Sequence, residues 1–160
     1  MVSIVMPAYN AEKTISTSID SVLSQTFPDW ELLVIDDCSE DHTADIVKKL
    51  LQELPPDTAG KLRLLENREN VGVSEARNLG IREARFPWIA FLDSDDLWEP
   101  EKLEKQLQLL KERPEADILF TGSAFINEEG KGSGYTLHVP KEIRYRKLLP
   151  QNLISCSSAL

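Results

Sequence analysis

Cysteine is nearly absent from this 160-residue chain, with only Cys38 and Cys156 present. Two are too few for a disulfide framework or a cysteine zinc site, and they fit a reduced, cytoplasmic setting. Basic residues are also short, 18 Lys and Arg against 27 Asp and Glu, for a net charge of −9. Nucleic-acid binding needs a basic face, so that class of partner is disfavoured. An anionic substrate would be repelled as well, unless a bound cation or a local basic group reverses the field. No apolar run approaches the roughly 20 residues a membrane helix needs. The start, Met1–Pro7, lacks the basic residues and long apolar stretch of a signal peptide. Neither absence excludes peripheral contact with a membrane.

Glycine is sparse, seven in all, and none stands in the turn Pro7-Ala8-Tyr9-Asn10 after the first apolar run. The Gly-x-Gly-x-x-Gly dinucleotide fingerprint is therefore missing, and so is a Gly-Lys-Ser/Thr phosphate loop. The two histidines, His42 and His138, lie in polar surroundings. They read as solvated side chains, and no serine–histidine–acid triad is legible.

What is present is an ordinary globular balance, 41% apolar and 28% charged. At this length a fold buries about 68–70% of the surface of its unfolded chain, enough for a core without staples. Short apolar runs at Val2–Met6, Leu32–Ile35, Leu62–Leu65, Trp88–Leu92 and Ile118–Thr121 read as strands. Helical periodicity fills the gaps: Ile15, Ile19, Val22 and Leu23 share one face, and Val47, Leu50, Leu51 and Leu54 share another. Pro55-Pro56 stops the second helix before a polar loop to Gly60, a third helix runs from about Ser74 to Ala84, and a fourth follows Pro100. Gly130–Gly134 reads as a loop. Strands alternating with helices predict an α/β fold, a mostly parallel doubly wound sheet with helices on both faces. Residues 1–160 read as one domain. After Gly134 the pattern weakens, and Ile154–Leu160 looks like a strand entering as the chain stops, so the expectation is a domain cut short at its C-terminus.

Ligands in such sheets bind at the carboxyl ends of the strands, and acids gather there. Asp36-Asp37 ends the second run, and Asp93-Ser94-Asp95-Asp96 ends the fourth. If the strand continued, Asp93 and Asp95 would share a side about 6–7 Å apart, with Ser94 pointing away. Two such carboxylates repel unless a cation joins them, and Mg²⁺ or Mn²⁺ takes one or two carboxylates together with substrate phosphates. A cation there would let an acidic protein hold a diphosphate. The plain alternative is that Asp36, Asp37 and Asp96 cap turns and helices, and Asp41 is read as such a cap. Arg77 either faces a phosphate or pairs with Glu75 or Glu83.

Five blocks then fall in order: Val5-Met6-Pro7-Ala8-Tyr9-Asn10, Ser21-Val22-Leu23-Ser24-Gln25-Thr26, Leu33-Val34-Ile35-Asp36-Asp37-Cys38-Ser39, Asn70-Val71-Gly72-Val73-Ser74-Glu75-Ala76-Arg77-Asn78 and Ala90-Phe91-Leu92-Asp93-Ser94-Asp95-Asp96. With this pattern, over residues 2 to about 121, the chain resembles the family 2 glycosyltransferases, nucleotide-sugar-dependent enzymes of the GT-A fold. The resemblance implies that Pro7, Ala8 and Tyr9 line a nucleotide pocket, that Asp37 hydrogen-bonds the base (uracil, from a UDP-sugar), and that Asp36 shapes the same turn. It matches Asp93 and Asp95 to the family's Asp-x-Asp motif. Asp93, with Ser94 between the two acids, would touch the ribose or sugar, and Asp95 would bind Mn²⁺ or Mg²⁺. Arg77 matches an often basic position near the donor. Cys38 stands where the family often has glycine or asparagine, and it reads as a small buried thiol without chemistry.

The implied reaction moves a sugar from a nucleoside diphosphate to an acceptor hydroxyl, with inversion, in glycan or cell-envelope polysaccharide synthesis, on a lipid-linked or glycan acceptor at the inner face of a bacterial membrane. The inverting base should come from an acidic motif downstream. Between Ile118 and Leu160 only Asn127-Glu128-Glu129-Gly130 and Glu142 are available, and neither matches. The base is thus expected beyond residue 160, leaving this chain as the donor-binding part. Three rival readings stand beside this one. A haloacid-dehalogenase-type phosphatase would need Thr or Val at position 97, where Leu stands, and its motif on the first strand. A receiver-type switch would use Val34–Asp37 as an acidic pocket but has no place for the Pro7–Tyr9 strand. A nucleotide-sugar-binding module without catalysis is the third.

Overall fold

The computed structural model describes residues 1–127, 130–148 and 154–160. Its centre is two strands, β1 (Val2–Ala8) and β2 (Trp30–Asp36), in which every residue is buried. Burial on both faces requires the near-continuous apolar sequence these segments have. They are parallel partners, with Val5 opposite Leu33 and Ala8 opposite Asp36. Strands β3 (Leu62–Glu66) and β4 (Trp88–Phe91) flank them in parallel, so the sheet order is β3-β2-β1-β4. Between these strands run α1 (Ile15–Leu23), α2 (Thr43–Glu53), the one-turn α3 (Pro56–Ala59) and α4 (Val73–Glu83), and α5 (Lys102–Glu112) follows β4.

Strand alternation sorts the core into two layers. Ile4, Met6, Leu32 and Val34 pack with Ile15, Ile19 and Val22 of α1, Val47 of α2 and Leu103 of α5. Val5, Leu33 and Ile35 turn the other way, onto Ala76 and Leu79 of α4. Helices thus cover both faces, as the periodicity implies. The helical pattern after Pro100 begins at Lys102, and the polar stretch after Pro55 holds α3, because a proline at its first turn loses no hydrogen bond.

Three segments depart from the sequence reading. Ile118–Thr121 forms no regular strand; only Leu119 pairs, exchanging both backbone hydrogen bonds with Leu160 at 2.8 Å, and Phe91 N–H reaches Ala159 at 3.4 Å. Two single pairings extend the sheet past β4 without making a ladder. Gly132–Gly134 are not loop but the start of β6 (Gly132–Leu137), the antiparallel partner of β5 (Ser123–Ile126). Ile154–Leu160 is not a strand: it holds a 3₁₀ turn at Cys156–Ser158, and only Ala159 and Leu160 bond to neighbouring backbone in the way just described. A four-residue helix, α6 (Tyr145–Leu148), completes the described elements.

The polar positions of Ser21–Thr26 have a structural task. Ser21 Oγ accepts the Trp98 N–H at 3.2 Å, Gln25 bonds both Glu99 O and the Leu103 N–H, and Thr26 N–H donates to Pro100 O. The end of α1 therefore clasps the segment that leads from β4 into α5. Next to this clasp Lys102 is buried, donating to Gln106 Oε1 at 2.6 Å with its ammonium 4.1 Å from the Trp98 ring centroid. Burial pulls its pKa down to about 7.

Two expected outcomes follow. A Cβ on Gly80 would lie 2.4 Å from Val5 Cγ1 and 3.0 Å from Ile35 Cδ1. Ala gains about 1 kcal/mol of helix propensity over Gly, but forcing a methyl into packed core costs about 1–3 kcal/mol. Val5 is locked in a central strand, so the clash wins: Gly80→Ala should lower the midpoint of thermal unfolding, and an equal or higher midpoint would refute this packing. For Lys102 the folded pKa lies below the unfolded one, so between pH 7 and about 10 the unfolded chain holds the extra proton. The cost of the buried charge is full below pH 7 and fades as pH rises through that window. In urea unfolding, wild type should gain stability relative to Lys102→Met between about pH 6 and about pH 9.5; a constant difference would show that Lys102 keeps its ordinary pKa.

Candidate functional site

Because the four strands are parallel, β1, β2 and β4 deliver their carboxyl ends to one edge, and the order reverses between β1 and β4. Such a switch point opens a crevice. A cavity of about 480 Å³ lies there, within the range of ligand sites. Pro7 and Ala8 line it from β1 and Tyr9 from just past its end, Asp37 from just past β2, Arg77 from α4, and Asp93, Ser94 and Asp95 from the loop after β4. Asn10, Ala11, Thr14, Asn70, Gly72, Val73 and Ala76 complete the wall. Asn10, Asn70 and Gly72 were visible as members of sequence blocks, but nothing in their chemistry marked them. Ala11 and Thr14 carried no signal, since only the fold brings the approach to α1 to this edge.

Asp36 is the one candidate that does not line the cavity. Buried on the opposite pleat from Asp37, it accepts the Ser39 N–H at 3.2 Å and so shapes the turn. Asp37 is fixed from three directions. Its Oδ1 accepts Asn67 Nδ2 at 2.7 Å and the Val71 N–H at 3.0 Å, and its Oδ2 accepts the Gly72 N–H at 2.8 Å. A carboxylate offers about four acceptor positions, so among the described residues one on Oδ2 stays open.

Asp93–Asp96 is a turn and not the end of a strand: β4 stops at Phe91, and Asp96 N–H donates to Asp93 O at 3.0 Å. The alternation expected of a strand is lost, which is why Ser94 faces the cavity together with Asp93 and Asp95. Each acid of the turn has a different neighbour. Arg77 Nη2 donates to Asp93 Oδ1 at 2.5 Å, so Arg77 pairs with neither Glu75 nor Glu83. Ser157 Oγ donates to Asp96 Oδ2 at 2.5 Å. Partial burial raises the Asp96 carboxyl above the usual range, the Ser157 bond opposes this, and the charges on Asp95 and Asp93 add to it. Asp95 and Asp96 are both exposed, but Asp96 is tied to Ser157, whereas among the described residues the Asp95 carboxylate has no hydrogen-bond or ion-pair partner.

Arg77 also carries a buried Nε without an acceptor. Together with the free Asp95, that orphan donor suits a ligand bringing both phosphate oxygens and a cation. Among the described residues no group of three or more His, Cys, Asp or Glu could hold a metal by itself. The donor set fits a hard divalent ion that takes one or two carboxylates and completes its shell with phosphate and water. Other polar residues have plain roles. Asp41 is not the N-cap of α2, which is His42; it stands one residue earlier, accepting the Thr43 N–H at 2.9 Å and the Glu12 N–H at 3.0 Å, and His42 and His138 are exposed. Cys38 is half-buried and not buried as expected. Glu142 is exposed and ion-paired with Arg113 and Arg144, while Glu128 and Glu129 lie outside the described residues.

Comparison with known proteins agrees with this architecture. An Escherichia coli protein, the UDP-Glc:alpha-D-GlcNAc-diphosphoundecaprenol beta-1,3-glucosyltransferase WfgD, is 39% identical over 156 residues, covering 98% of this chain and 58% of its own. The crystal structure of Staphylococcus aureus TarS 1-349 in complex with UDP superposes with a TM-score of 0.70 at 31% identity, covering 84% of this chain and 38% of that one. The mannosyltransferase PcManGT from Pyrobaculum calidifontis, in complex with GDP-Man and Mn²⁺, does so with a TM-score of 0.64 at 26% identity, covering 79% and 35%. The chain spans 58–61% of the length of three of the curated relatives it matches. The sheet has the GT-A arrangement of these structures. The model of glycosyl transferase family 2 matches residues 3–159, and the chain belongs to that family.

Proposed function

We propose that this chain forms the donor site of a glycosyltransferase that takes a nucleoside-diphosphate sugar, a UDP-sugar, with Mn²⁺ or Mg²⁺, and passes the sugar to an acceptor hydroxyl with inversion. The observation that carries this reading is the sorting of charge at the cavity: a free Asp95 and an Arg77 with an unclaimed buried donor both line it at the switch point. Pro7, Ala8 and Tyr9 supply the wall for the base, and the open position on Asp37 Oδ2 suits a single N–H donor such as a uracil imide. The N-terminal turn of α4 faces the cavity through Gly72, Val73 and Ala76, and a helix N-terminus favours an anion. Arg77 and that turn would hold the diphosphate, Asp93 and Ser94 the ribose or sugar, and Asp95 the cation. When bound, the cation supplies neutralisation of the charge that develops on the departing diphosphate.

Inversion needs a carboxylate to take the proton of the acceptor hydroxyl. Asp37 and Asp93 are bound by their neighbours and Asp95 is claimed by the cation, so the base comes from outside this cavity wall. UDP and UDP-GlcNAc occupy TarS, and the name of WfgD specifies a lipid-linked acceptor. Both support a UDP-sugar donor and an acceptor of envelope glycan synthesis, reached by peripheral contact with the inner face of a membrane. No helix among the described residues is long and apolar enough to cross one. The parallel sheet opening with the Pro7–Tyr9 strand, and the family match, leave the phosphatase and receiver readings without support.

Asp95→Ala should weaken UDP binding in Mn²⁺ by about tenfold or more, the scale on which altered metal sites lose affinity, while leaving the unfolding midpoint unchanged. Calorimetric titration of both proteins makes the comparison, and equal affinities would remove Asp95 from the cation.

A further inference from the structure

The Asp93–Asp96 turn sets three carboxylates within four residues, and only one of them should meet a cation. Arg77 accounts for Asp93. The group that restrains Asp96 comes from the far end of the chain. Ser157 lies beneath the turn, accepting the Asp93 N–H at 3.0 Å through the same Oγ that donates to Asp96 Oδ2. One hydroxyl thus ties the first residue of the turn to the last, across more than sixty positions of sequence. It is itself held firmly. Ser157 is 7% exposed, its carbonyl accepts Trp98 Nε1 at 2.7 Å, and the next carbonyl, Ser158 O, accepts Gln106 Nε2 at 3.0 Å. On the other side of the turn, Ser18 Oγ donates to Ser94 O at 2.8 Å.

We propose that Ser157 is a positioning residue of the donor site: by holding Asp96 down and fixing the Asp93 backbone, it decides that Asp95 alone presents a carboxylate to the cation. The proposal rests on the donor-site reading above and adds to it the element that selects between two adjacent acids. Without the hydroxyl, Asp96 swings free beside Asp95. The turn then carries two unpartnered like charges, whose repulsion displaces Asp95 from the cavity. Trp98 and Gln106 act through Ser157, as the grip on the segment that bears it. Residues that orient a metal ligand in this indirect way commonly govern affinity without touching the ion.

The test compares UDP binding in Mn²⁺ with UDP binding in EDTA, for wild type, Ser157→Ala, Ser157→Thr, Trp98→Phe and Asp95→Ala. The quantity read is the factor by which Mn²⁺ tightens UDP. A role in packing alone would weaken binding equally in both conditions and leave that factor unchanged. The expected result is a factor reduced about tenfold in Ser157→Ala, restored in Ser157→Thr, which keeps the hydroxyl, and reduced partway in Trp98→Phe, which keeps an aromatic side chain but loses the bond to Ser157 O. Should Ser157→Ala fail to fold, Trp98→Phe carries the test. A wild-type factor in whichever of these two variants folds overturns the proposal. If Asp95→Ala loses the Mn²⁺ effect while Ser157→Ala keeps it, the positioning role fails and the donor site stands. If Asp95→Ala also keeps it, the donor-site reading fails and this proposal with it.

Discussion

Like-charge repulsion at one edge of the sheet is the constraint around which the loops are built. Asp36, Asp37, Asp93, Asp95 and Asp96 all sit at the carboxyl ends of β2 and β4, in a chain already carrying a net charge of −9. At an effective dielectric of about 20, two carboxylates about 6 Å apart repel by about 2–3 kcal/mol, so several together threaten a fold of ordinary stability. Each is countered by a different device: a backbone N–H for Asp36, two N–H groups and an amide for Asp37, a guanidinium for Asp93, a hydroxyl for Asp96. Asp95 is the exception: among the described residues it is the one of these five carboxylates with no partner on either oxygen. On the proposed donor-site reading, that open carboxylate meets the cation a diphosphate brings with it, which would reconcile an acidic protein with an anionic ligand.

Backbone conformation serves the same edge. Asn10 and Cys38 hold left-handed φ values of 51° and 63°, and Gly72 one of 86°. Asn and Gly adopt that region readily. Asn10 uses it to cross-link two loops, its N–H donating to Ser39 Oγ and its Oδ1 accepting the Glu40 N–H. Gly72 uses it to aim an N–H at Asp37 while starting α4. Cys38 has neither a missing Cβ nor a short amide to ease that conformation, so its backbone is strained where Gly or Asn would not be.

Much of this was legible in the chain itself. Residues such as Ile4, Val5, Leu32 and Leu33 announce strands buried on both faces, and the spacing of Ile15, Ile19 and Val22 announces the helix between them. From strands alternating with helices follows a parallel sheet, and from that the edge at which to look for ligands. Local pattern could not supply what depends on distant partners. Nothing near Asp93 indicates that β4 ends early, because the turn is held by Ser157 and Ser18 from elsewhere in the sequence. Asp36 and Asp37 are chemically alike and adjacent, and only the pleat separates the one that shapes a turn from the one that faces the cavity. The run Ile118–Thr121 has strand composition, yet only Leu119 finds a paired backbone, at Leu160. Gly132–Gly134 reads as a loop by composition and pairs as a strand because Ser123–Ile126 lies beside it.

The central claim is that the edge between β1 and β4 binds a nucleoside diphosphate through a cation that Asp95 helps to hold. Titrating UDP into the wild-type chain, once with Mn²⁺ and once with EDTA, tests it most directly. The account predicts binding with Mn²⁺ that is lost or much weakened when the metal is removed. Binding of equal strength in EDTA would contradict it, since the free carboxylate would then have no cation to hold.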